Sequence, residues 1–305
     1  MKVSVVICTY SGEMYEHFRE AVESVLDQTY DDTEVVVVVD GTNTVYDRVT
    51  DDYGDDERVV THCNSENVGL LRSRNTGAKL ADGNVVAFMD DDAVADEHWV
   101  EELVQIYERD DVESVGGKMT PLWVAGKPAF LPEAFYWLVG VTHRGFGDEG
   151  QVRNTFGSNI SFRRDVFLEL DGFDPNIGGR KGDRNLQGGE TELAARLRSE
   201  FGGAVYYNPA AKVGHKVFEY RTEPGWLLRR AFWQGYSKRA MEVLVDDPGD
   251  EETAFLGQIL FRFVPDRLRN AVAGPSLAEA QKFVMLVALT ACVGFGYLYG
   301  FRKWR

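Results

Sequence analysis

The chain has 305 residues, 44% of them hydrophobic, and its 49 acidic side chains outnumber its 33 lysines and arginines, which gives a net charge of −16. This composition excludes a disordered chain, and the negative charge argues against nucleic acid as a partner, because a phosphate backbone requires a basic surface. The length allows one large domain or two small ones. An acidic surface with more arginine than lysine is typical of a salt-adapted protein, in which salt screens the self-repulsion.

Strands and helices alternate along the first 90 residues. Four β-branched or apolar runs predict strands, at residues 2–9, 34–39, 58–62 and 85–89. Three intervening segments predict helices, at residues 13–28, from about 43, and at 69–80. This alternation predicts an α/β fold with a doubly wound, mainly parallel sheet.

The fourth strand ends in three consecutive carboxylates, Asp90, Asp91 and Asp92. Ligands of open α/β sheets bind at the carboxyl ends of the strands, and three adjacent carboxylates repel one another unless a cation lies among them. Oxygen ligands suit Mg²⁺ or Mn²⁺, so the triplet predicts a divalent metal site that holds a diphosphate. The alternative is a solvated acidic run like Asp51-Asp52.

Other polar residues are predicted at the same sheet edge. Asp40 ends the second strand, and Gly69 begins a helix that carries Arg72 and Arg74. A helix N-terminus and guanidinium groups would both favour an anionic ligand there. An ordinary turn at Asp40 and solvated arginines are the alternatives. No G-x-G-x-x-G follows the first strand, which argues against a dinucleotide-binding unit.

Four sequence features together carry a family resemblance: VSVVICTY at residues 3–10, Asp40, NVGLLRSRNTGAKLADGNVVAFMDDD at 67–92 and GSNISFRRDVFLELDGFD at 157–174. Across about residues 2–240 the chain resembles family 2 glycosyltransferases of the GT-A fold. The resemblance implies inverting transfer of one sugar from a nucleotide-sugar, usually UDP-linked, with a divalent metal, Mg²⁺ or Mn²⁺, on Asp92, Asp90 and His215. It also implies a set of residues that contact the nucleotide-sugar, namely Thr9, Tyr10, Asp40, Asn67, Gly69, Arg72, Arg74, Asn75, Asp90 and Asp91.

The second half of the chain would hold the acceptor and the catalytic base. By the same resemblance, the acceptor is contacted by Gly157, Ser158, Asn159, Arg229 and Arg230. Gly116, Gly117 and Lys118 are expected to end a short strand at 114–115 and to border the donor sugar, whereas residues 121–153 are expected to form an insertion without an assigned place.

The resemblance places the catalytic base at the start of a helix. Glu190 aligns with the Asp that serves as base in the family, but Gly189 replaces the acidic residue that normally precedes it. This departure leaves Glu190 and Glu192 open as the base, with Glu190 favoured. The alternative is that both are simply acids in the first turn of a helix, where the helix dipole favours them.

The C-terminal region differs in character from the rest of the chain. Residues 283–301 contain no charge, and Lys282 and Arg302-Lys303 flank them. This predicts a membrane segment, with a buried core helix as the alternative. Residues 255–263, followed by Arg267 and Arg269, are expected to form an amphipathic helix on a membrane surface. We therefore expect a catalytic domain at 1–240, divided near 115, and a helical region at 241–305.

The membrane segment and the salt-adapted composition make the chain resemble haloarchaeal family members that extend a dolichyl-phosphate-linked sugar for protein N-glycosylation. This implies a UDP-sugar donor, with UDP-glucuronate favoured, a lipid-linked saccharide acceptor, and a location at the cell membrane with the catalytic domain on the cytoplasmic side. One alternative is a dolichyl-phosphate sugar synthase, which needs no general base. The other is a nucleotide-binding assembly subunit without catalysis.

Overall fold

The computed structural model describes residues 1–109, 111–181, 184–245, 256–273 and 276–304. Its strands are β1 Val3–Thr9, β2 Thr33–Val39, β3 Val59–Cys63, β4 Val85–Asp90, β5 Ala93–Ala95, β6 Ser114–Trp123, β7 Gly150–Val152, β8 Ile160–Arg163, β9 Gly179–Lys181, β10 Arg184–Leu186 and β11 Val205–Val217. Its α-helices are α1 Tyr15–Leu26, α2 Asn43–Tyr53, α3 Leu70–Leu80, α4 Trp99–Tyr107, α5 Arg164–Glu169, α6 Gly189–Phe201, α7 Pro224–Leu244, α8 Val264–Ala273 and α9 Leu277–Gly300. Short 3₁₀-helices lie at Gly12–Met14, Glu133–Val139 and Glu219–Thr222, and a π-helix lies at Ile259–Phe263.

The chain groups into two compact units, each assembled from three stretches. The first contains Met1–Thr120, Asp148–Gly179 and Gly189–His215, and the second contains Pro121–Gly147, Arg180–Gly188 and Lys216–Arg305. These units differ from the continuous ranges expected from the sequence, because β6 and β11 each run from one unit into the other.

A nine-stranded mixed sheet has the order β3-β2-β1-β4-β8-β6-β11-β5, with β7 paired to β11. The strands β3, β2, β1 and β4 are parallel, as the alternation of strands and helices predicted. Strand β8 is antiparallel to both β4 and β6, and β11 is antiparallel to β5 and β7. The second half therefore extends the sheet with antiparallel strands, which do not require helical crossovers.

The central strands of the first unit are buried on both faces. Val3, Val5 and Ile7 of β1 belong to a core cluster that also contains residues of α1, α2 and α4. Val6 and Cys8 of the same strand belong to a second cluster, with residues of α3, α5 and α6. Side chains of a strand alternate between its faces, so a strand covered by helices on both sides is apolar at most positions; in β1 the exceptions are Ser4 and Thr9.

The second unit has its own core, built mainly on α7, α9 and Glu133–Val139. The structure corrects the length of the strand expected at the entry to this unit and gives residues 121–153 a place. Strand β6 extends through Gly116–Lys118 to Trp123, so it is much longer than the strand expected at 114–115. Residues 121–153 form parts of β6 and β7 and a 3₁₀-helix.

The stretch at 255–263 does not present its apolar side chains outward as a set. Ile259 and Phe263 are buried in the second unit's core, whereas Phe261 is exposed, and residue 255 lies outside the described residues. Arg267 is also buried, where it contacts Glu133 and Glu279. The apolar segment expected at 283–301 forms most of α9, which begins earlier, at Leu277, and ends at Gly300.

Candidate active site

The register of the parallel strands aligns their carboxyl ends. Thr9 is paired with Val39, Val39 with Cys63, and Cys8 with Asp90. Asp90 is the last residue of β4, and Asp91 and Asp92 follow it directly. The aspartate triplet and Asp40 are therefore at the same sheet edge, as the sequence predicted.

The three consecutive aspartates have three different surroundings. Asp90 accepts a hydrogen bond from Arg74 Nη2 at 2.7 Å, and its backbone N–H donates to Ser158 Oγ. Asp91 accepts from Thr9 Oγ1 at 2.8 Å. Burial raises the pKa of Asp91 to about 7, despite the hydrogen bond from Thr9, which lowers it. The triplet is thus a set of specific contacts and not a uniformly solvated acidic run.

Asp92 is buried and lies against His215, whose Nε2 is 3.4 Å from Asp92 Oδ1. The antiparallel pairing of β11 with β5 places His215 opposite Ala93, the residue after Asp92. One ligand atom each from Asp90, Asp92 and His215 lie within 4.8 Å of one another. Two carboxylates and one imidazole fit a divalent cation such as Mn²⁺ or Mg²⁺, with carboxylate oxygens as the preferred ligands. The three residues predicted to bind metal are therefore brought together.

Glu190, in the first turn of α6, lies beside the aspartate triplet through a shared contact with Arg74. Arg74 Nη1 donates to Glu190 Oε1 at 3.3 Å, so one guanidinium contacts both Glu190 and Asp90. Burial alone would lower the pKa of Arg74, but Asp90 and Glu190 raise it above its ordinary value. A Cβ atom at Gly157 would lie 2.0 Å from Glu190 Oε1 and 2.7 Å from Arg74 Nη1. Glycine at 157 therefore leaves the space that this arrangement needs.

Glu192 is directed elsewhere. Its carboxylate accepts hydrogen bonds from Arg196 Nε and Nη2 at 2.5 and 2.7 Å, and Arg196 also donates to the backbone oxygens of Leu170 and Gly172. Of the two acids that the sequence left open as the base, Glu190 is the one that adjoins the aspartates, and Glu192 joins α6 to the loop after α5.

The carboxylate of Asp40 accepts hydrogen bonds from the protein's own backbone. Its Oδ1 accepts from the backbone N–H of Val68 at 2.9 Å and its Oδ2 from that of Gly69 at 2.8 Å, just before α3. Asn64 Nδ2 also donates to Asp40 Oδ1, and the sequence analysis did not single out Asn64. A polar residue in a loop gives no sequence signal of such a contact. In this structure Asp40 contacts the backbone just before α3, and its expected contact with the nucleotide base stays a prediction.

The other predicted nucleotide-sugar residues differ in their surroundings. Tyr10, Asn67 and Arg72 are exposed, and Asn75 exchanges hydrogen bonds with the backbone of Phe173. The resemblance matched these residues by sequence position. Of the whole predicted set, Thr9, Arg74, Asp90 and Asp91 take part in the contacts around the aspartate triplet, and Asp40 and Gly69 contact each other.

Two of the residues predicted to contact the acceptor, Ser158 and Asn159, form hydrogen bonds within the protein. Asn159 is fully buried, accepts from Trp99 Nε1, and donates to the backbone oxygens of Ala211 and Lys118, so it packs in the core and does not face an acceptor. Ser158 supports Asp90 through the hydrogen bond described above. Arg229 and Arg230 lie on α7 in the second unit, where Arg229 is exposed and Arg230 lies over the ring of Trp226.

Comparison with known proteins agrees with this geometry. The family described as glycosyl transferase family 2 matches residues 4–171. A glucosyl-dolichyl phosphate glucuronosyltransferase of Haloferax volcanii is 54% identical over 302 residues, which cover 98% of this chain and 96% of that protein. An uncharacterized glycosyltransferase of Haemophilus influenzae is 33% identical over 36% of this chain and 33% of its own length.

Solved structures share the fold at low sequence identity. A mannosyltransferase from Pyrobaculum calidifontis, in complex with GDP-Man and Mn²⁺, aligns over 98% of this chain and 87% of its own, with a TM-score of 0.61 and 17% identity. Staphylococcus aureus TarS in complex with UDP-GlcNAc aligns over 96% of this chain and 82% of its own, with a TM-score of 0.55 and 16% identity.

The fold and the acidic site define an α/β enzyme of the GT-A class, which confirms the predicted fold. The chain belongs to glycosyl transferase family 2 and is a glycosyltransferase.

Proposed function

We propose that this glycosyltransferase transfers one sugar, with inversion and with a divalent metal, from a UDP-sugar to a saccharide linked to dolichyl phosphate in protein N-glycosylation. UDP-glucuronate is the favoured donor. The observation that carries the reaction type is the pair of contacts made by Arg74, which joins Glu190 to the cluster of Asp90, Asp92 and His215. A general base and a diphosphate-binding cluster must be adjacent for a transfer of this kind.

Glu190 is the proposed base. Its carboxylate accepts the proton of an acceptor hydroxyl as that oxygen bonds to the anomeric carbon and the bond between this carbon and the diphosphate breaks. A base must lie within hydrogen-bond reach of the proton it removes, and the Glu190 side chain is 26% exposed, so its carboxylate can be reached by an acceptor hydroxyl.

Asp90, Asp92 and His215 are the proposed metal ligands. When bound, the cation would supply positive charge that stabilises the departing diphosphate. Thr9 holds Asp91 in its orientation through the 2.8 Å hydrogen bond, and Asp91 is proposed to contact the ribose or the sugar. Ser158 fixes the backbone at Asp90 and thereby the direction of that carboxylate.

The Haloferax volcanii relative supports the choice of donor and acceptor. Its name specifies a glucuronosyltransferase that acts on glucosyl-dolichyl phosphate, and the similarity covers nearly the whole of both chains. The candidate membrane helix, α9, is consistent with a lipid-linked acceptor. On this basis we propose that the enzyme works at the cell membrane, with its catalytic unit on the cytoplasmic side.

The test measures UDP release from a panel of UDP-sugars in high salt, with Mn²⁺ or Mg²⁺ and a membrane lipid extract as acceptor. We expect release from one donor, dependent on metal and extract. Glu190→Gln should lower turnover by about 10²–10⁴-fold, the usual contribution of a general base. Glu192→Gln is the matched control: it removes the ion pair with Arg196 and should lower stability more than turnover.

Three outcomes would contradict the proposal. Full activity in Glu190→Gln would favour a dolichyl-phosphate sugar synthase, whose phosphate nucleophile needs no base. Loss of turnover in folded Glu192→Gln alone would move the base to Glu192. Donor binding without turnover on any extract would indicate an assembly subunit.

A further inference from the structure

Helix α9 has two apolar faces with different surroundings. On one face the buried residues recur every three to seven positions, at Leu286, Leu289, Gly296 and Gly300. On the other face five exposed residues, which we name the α9 stripe, recur at helical spacing: Val284, Val287, Ala291, Phe295 and Leu298. Phe295 and Leu298 are 65% and 63% exposed. Single exposed hydrophobic residues are common, but a contiguous row of them marks an interaction surface.

The buried face is held closely against α7. A Cβ atom at Gly296 would lie 1.8 Å from the backbone oxygen of Phe232, and one at Gly235 would lie 1.9 Å from that of Val293. The two backbones are therefore in direct contact, which only glycine permits at these positions. This contact fixes the C-terminal half of α9.

An ionic network fixes the N-terminal half. Ser276 caps the helix by accepting a hydrogen bond from the backbone N–H of Glu279. Arg267 of α8 donates to Glu279 at 3.0 Å and also contacts Glu133. Lys282 Nζ donates to Glu279 at 3.2 Å. Helix α9 is thus attached to the second unit at both ends.

These attachments conflict with a membrane-spanning position. The part of α7 packed against α9 carries an ion pair between Arg239 and Glu242 at 2.9 Å, and Tyr297 of α9 donates a hydrogen bond to Glu242. If α9 crossed the bilayer while packed in this way, those charges would enter the hydrocarbon, which is costly. A spanning anchor is also surrounded by lipid, whereas one face of α9 is covered by protein.

We infer that α9 lies along the membrane surface, with the α9 stripe inserted at the boundary between headgroups and acyl chains. The stripe extends for about 21 Å, at 1.5 Å per residue, and holds no charge. The exposed Arg302 and Lys303 follow it and suit anionic headgroups, although the chain as a whole is acidic. This inference rests on the proposed lipid-linked acceptor, which places the enzyme at a membrane.

The depth of the α9 stripe in a membrane tests the inference. Full-length protein with Cys63→Ser and Cys292→Ser would carry a single added cysteine, Val284→Cys, Ala291→Cys or Leu298→Cys, each with a spin label. The probe is vesicles of equal parts phosphatidylglycerol and phosphatidylcholine in high salt. We expect all three labels at the same shallow depth. A central label deeper than the other two would show a spanning helix and overturn the inference, and so would labels that remain in water or contact a second copy of the chain.

Partitioning of charged variants gives a second test. Phe295→Glu with Leu298→Glu should weaken vesicle binding by about tenfold or more, because each side chain loses its burial in lipid. The control, Leu80→Glu with Val124→Glu, introduces the same two negative charges at exposed apolar positions outside the α9 stripe. It should bind vesicles like the wild type. Equal binding of both variants would contradict the inference.

Turnover separates this inference from the proposed function. With a detergent-solubilised acceptor, the stripe variant should retain wild-type turnover while losing vesicle binding. Vesicle binding without transfer to any dolichyl-linked acceptor would refute the proposed function and leave the membrane position intact.

Discussion

Arg74 donates a hydrogen bond to Glu190 at 3.3 Å, although 116 positions separate the two residues. The other terminal nitrogen of the same guanidinium donates to Asp90 at 2.7 Å. The side chain is buried, so this single cation sets the separation between the proposed base and a proposed metal ligand. A planar guanidinium can contact two carboxylates in fixed directions, which the single ammonium group of lysine does not reproduce.

Arg74→Lys should therefore lower kcat by about 10²-fold, because a displacement of about 1 Å in a reacting group has effects of this size. The measurement is steady-state turnover with saturating donor, together with thermal unfolding to show that the variant folds. Arg19→Lys, on the exposed surface of α1, is the control for the same exchange. Unchanged kcat in Arg74→Lys would show that the contact to Glu190 does not position the base.

Removal of His215 should weaken metal binding. We expect His215→Ala to raise the Mn²⁺ concentration required for half-maximal binding by at least about tenfold, because one of the three proposed protein ligands is lost. Binding is measured directly by electron paramagnetic resonance of free Mn²⁺, so the result does not depend on activity. His17→Ala on α1 is the control. Equal Mn²⁺ affinity in His215→Ala would exclude His215 as a ligand.

Asp40 should contribute to stability even without a nucleotide. Asp40→Asn replaces one acceptor oxygen with an NH₂ group that cannot accept from the backbone N–H of Val68 or Gly69. A buried donor left without its partner costs about 1–3 kcal/mol, so the free energy of unfolding should fall by this amount. Chemical unfolding of the nucleotide-free protein measures it. If stability is unchanged and only donor affinity falls, Asp40 acts mainly as the base contact that the family resemblance implied.

His143 should make the second unit sensitive to acid. Burial lowers the pKa of His143 to about 4, below its ordinary value of 6.5. The unfolded chain therefore takes up the proton first as pH falls. The contribution to stability is complete above about pH 6.5 and is lost progressively down to about pH 4, by at most about 3 kcal/mol.

The experiment compares the free energies of unfolding of wild type and His143→Gln at pH 7.5 and pH 4.5. The variant should lose less stability between the two pH values, because it lacks the titrating group. The difference between the two proteins isolates His143 from the many carboxylates that titrate in the same range. An equal loss in both would show that His143 does not titrate with a lowered pKa.

Elements that depend on a local pattern could be predicted from the sequence. The β-branched runs and the apolar run before Asp90 predicted β1 to β4 and their parallel order, because a strand buried on both faces is apolar at most positions. The abrupt change from Met89 to Asp90 located the acidic site, and the uncharged stretch at 283–301 located most of α9.

Contacts between polar residues far apart in sequence could be identified only from the folded structure. Glu190 and Glu192 have the same local sequence signal, and they differ because Arg74 and Arg196 approach them from different elements. Asn159 lies beside Ser158 in the chain, yet Ser158 contacts the backbone of Asp90, whereas Asn159 contacts Trp99 in the core. Hydrogen bonds between residues far apart in sequence depend on strand register and packing, which no local pattern specifies.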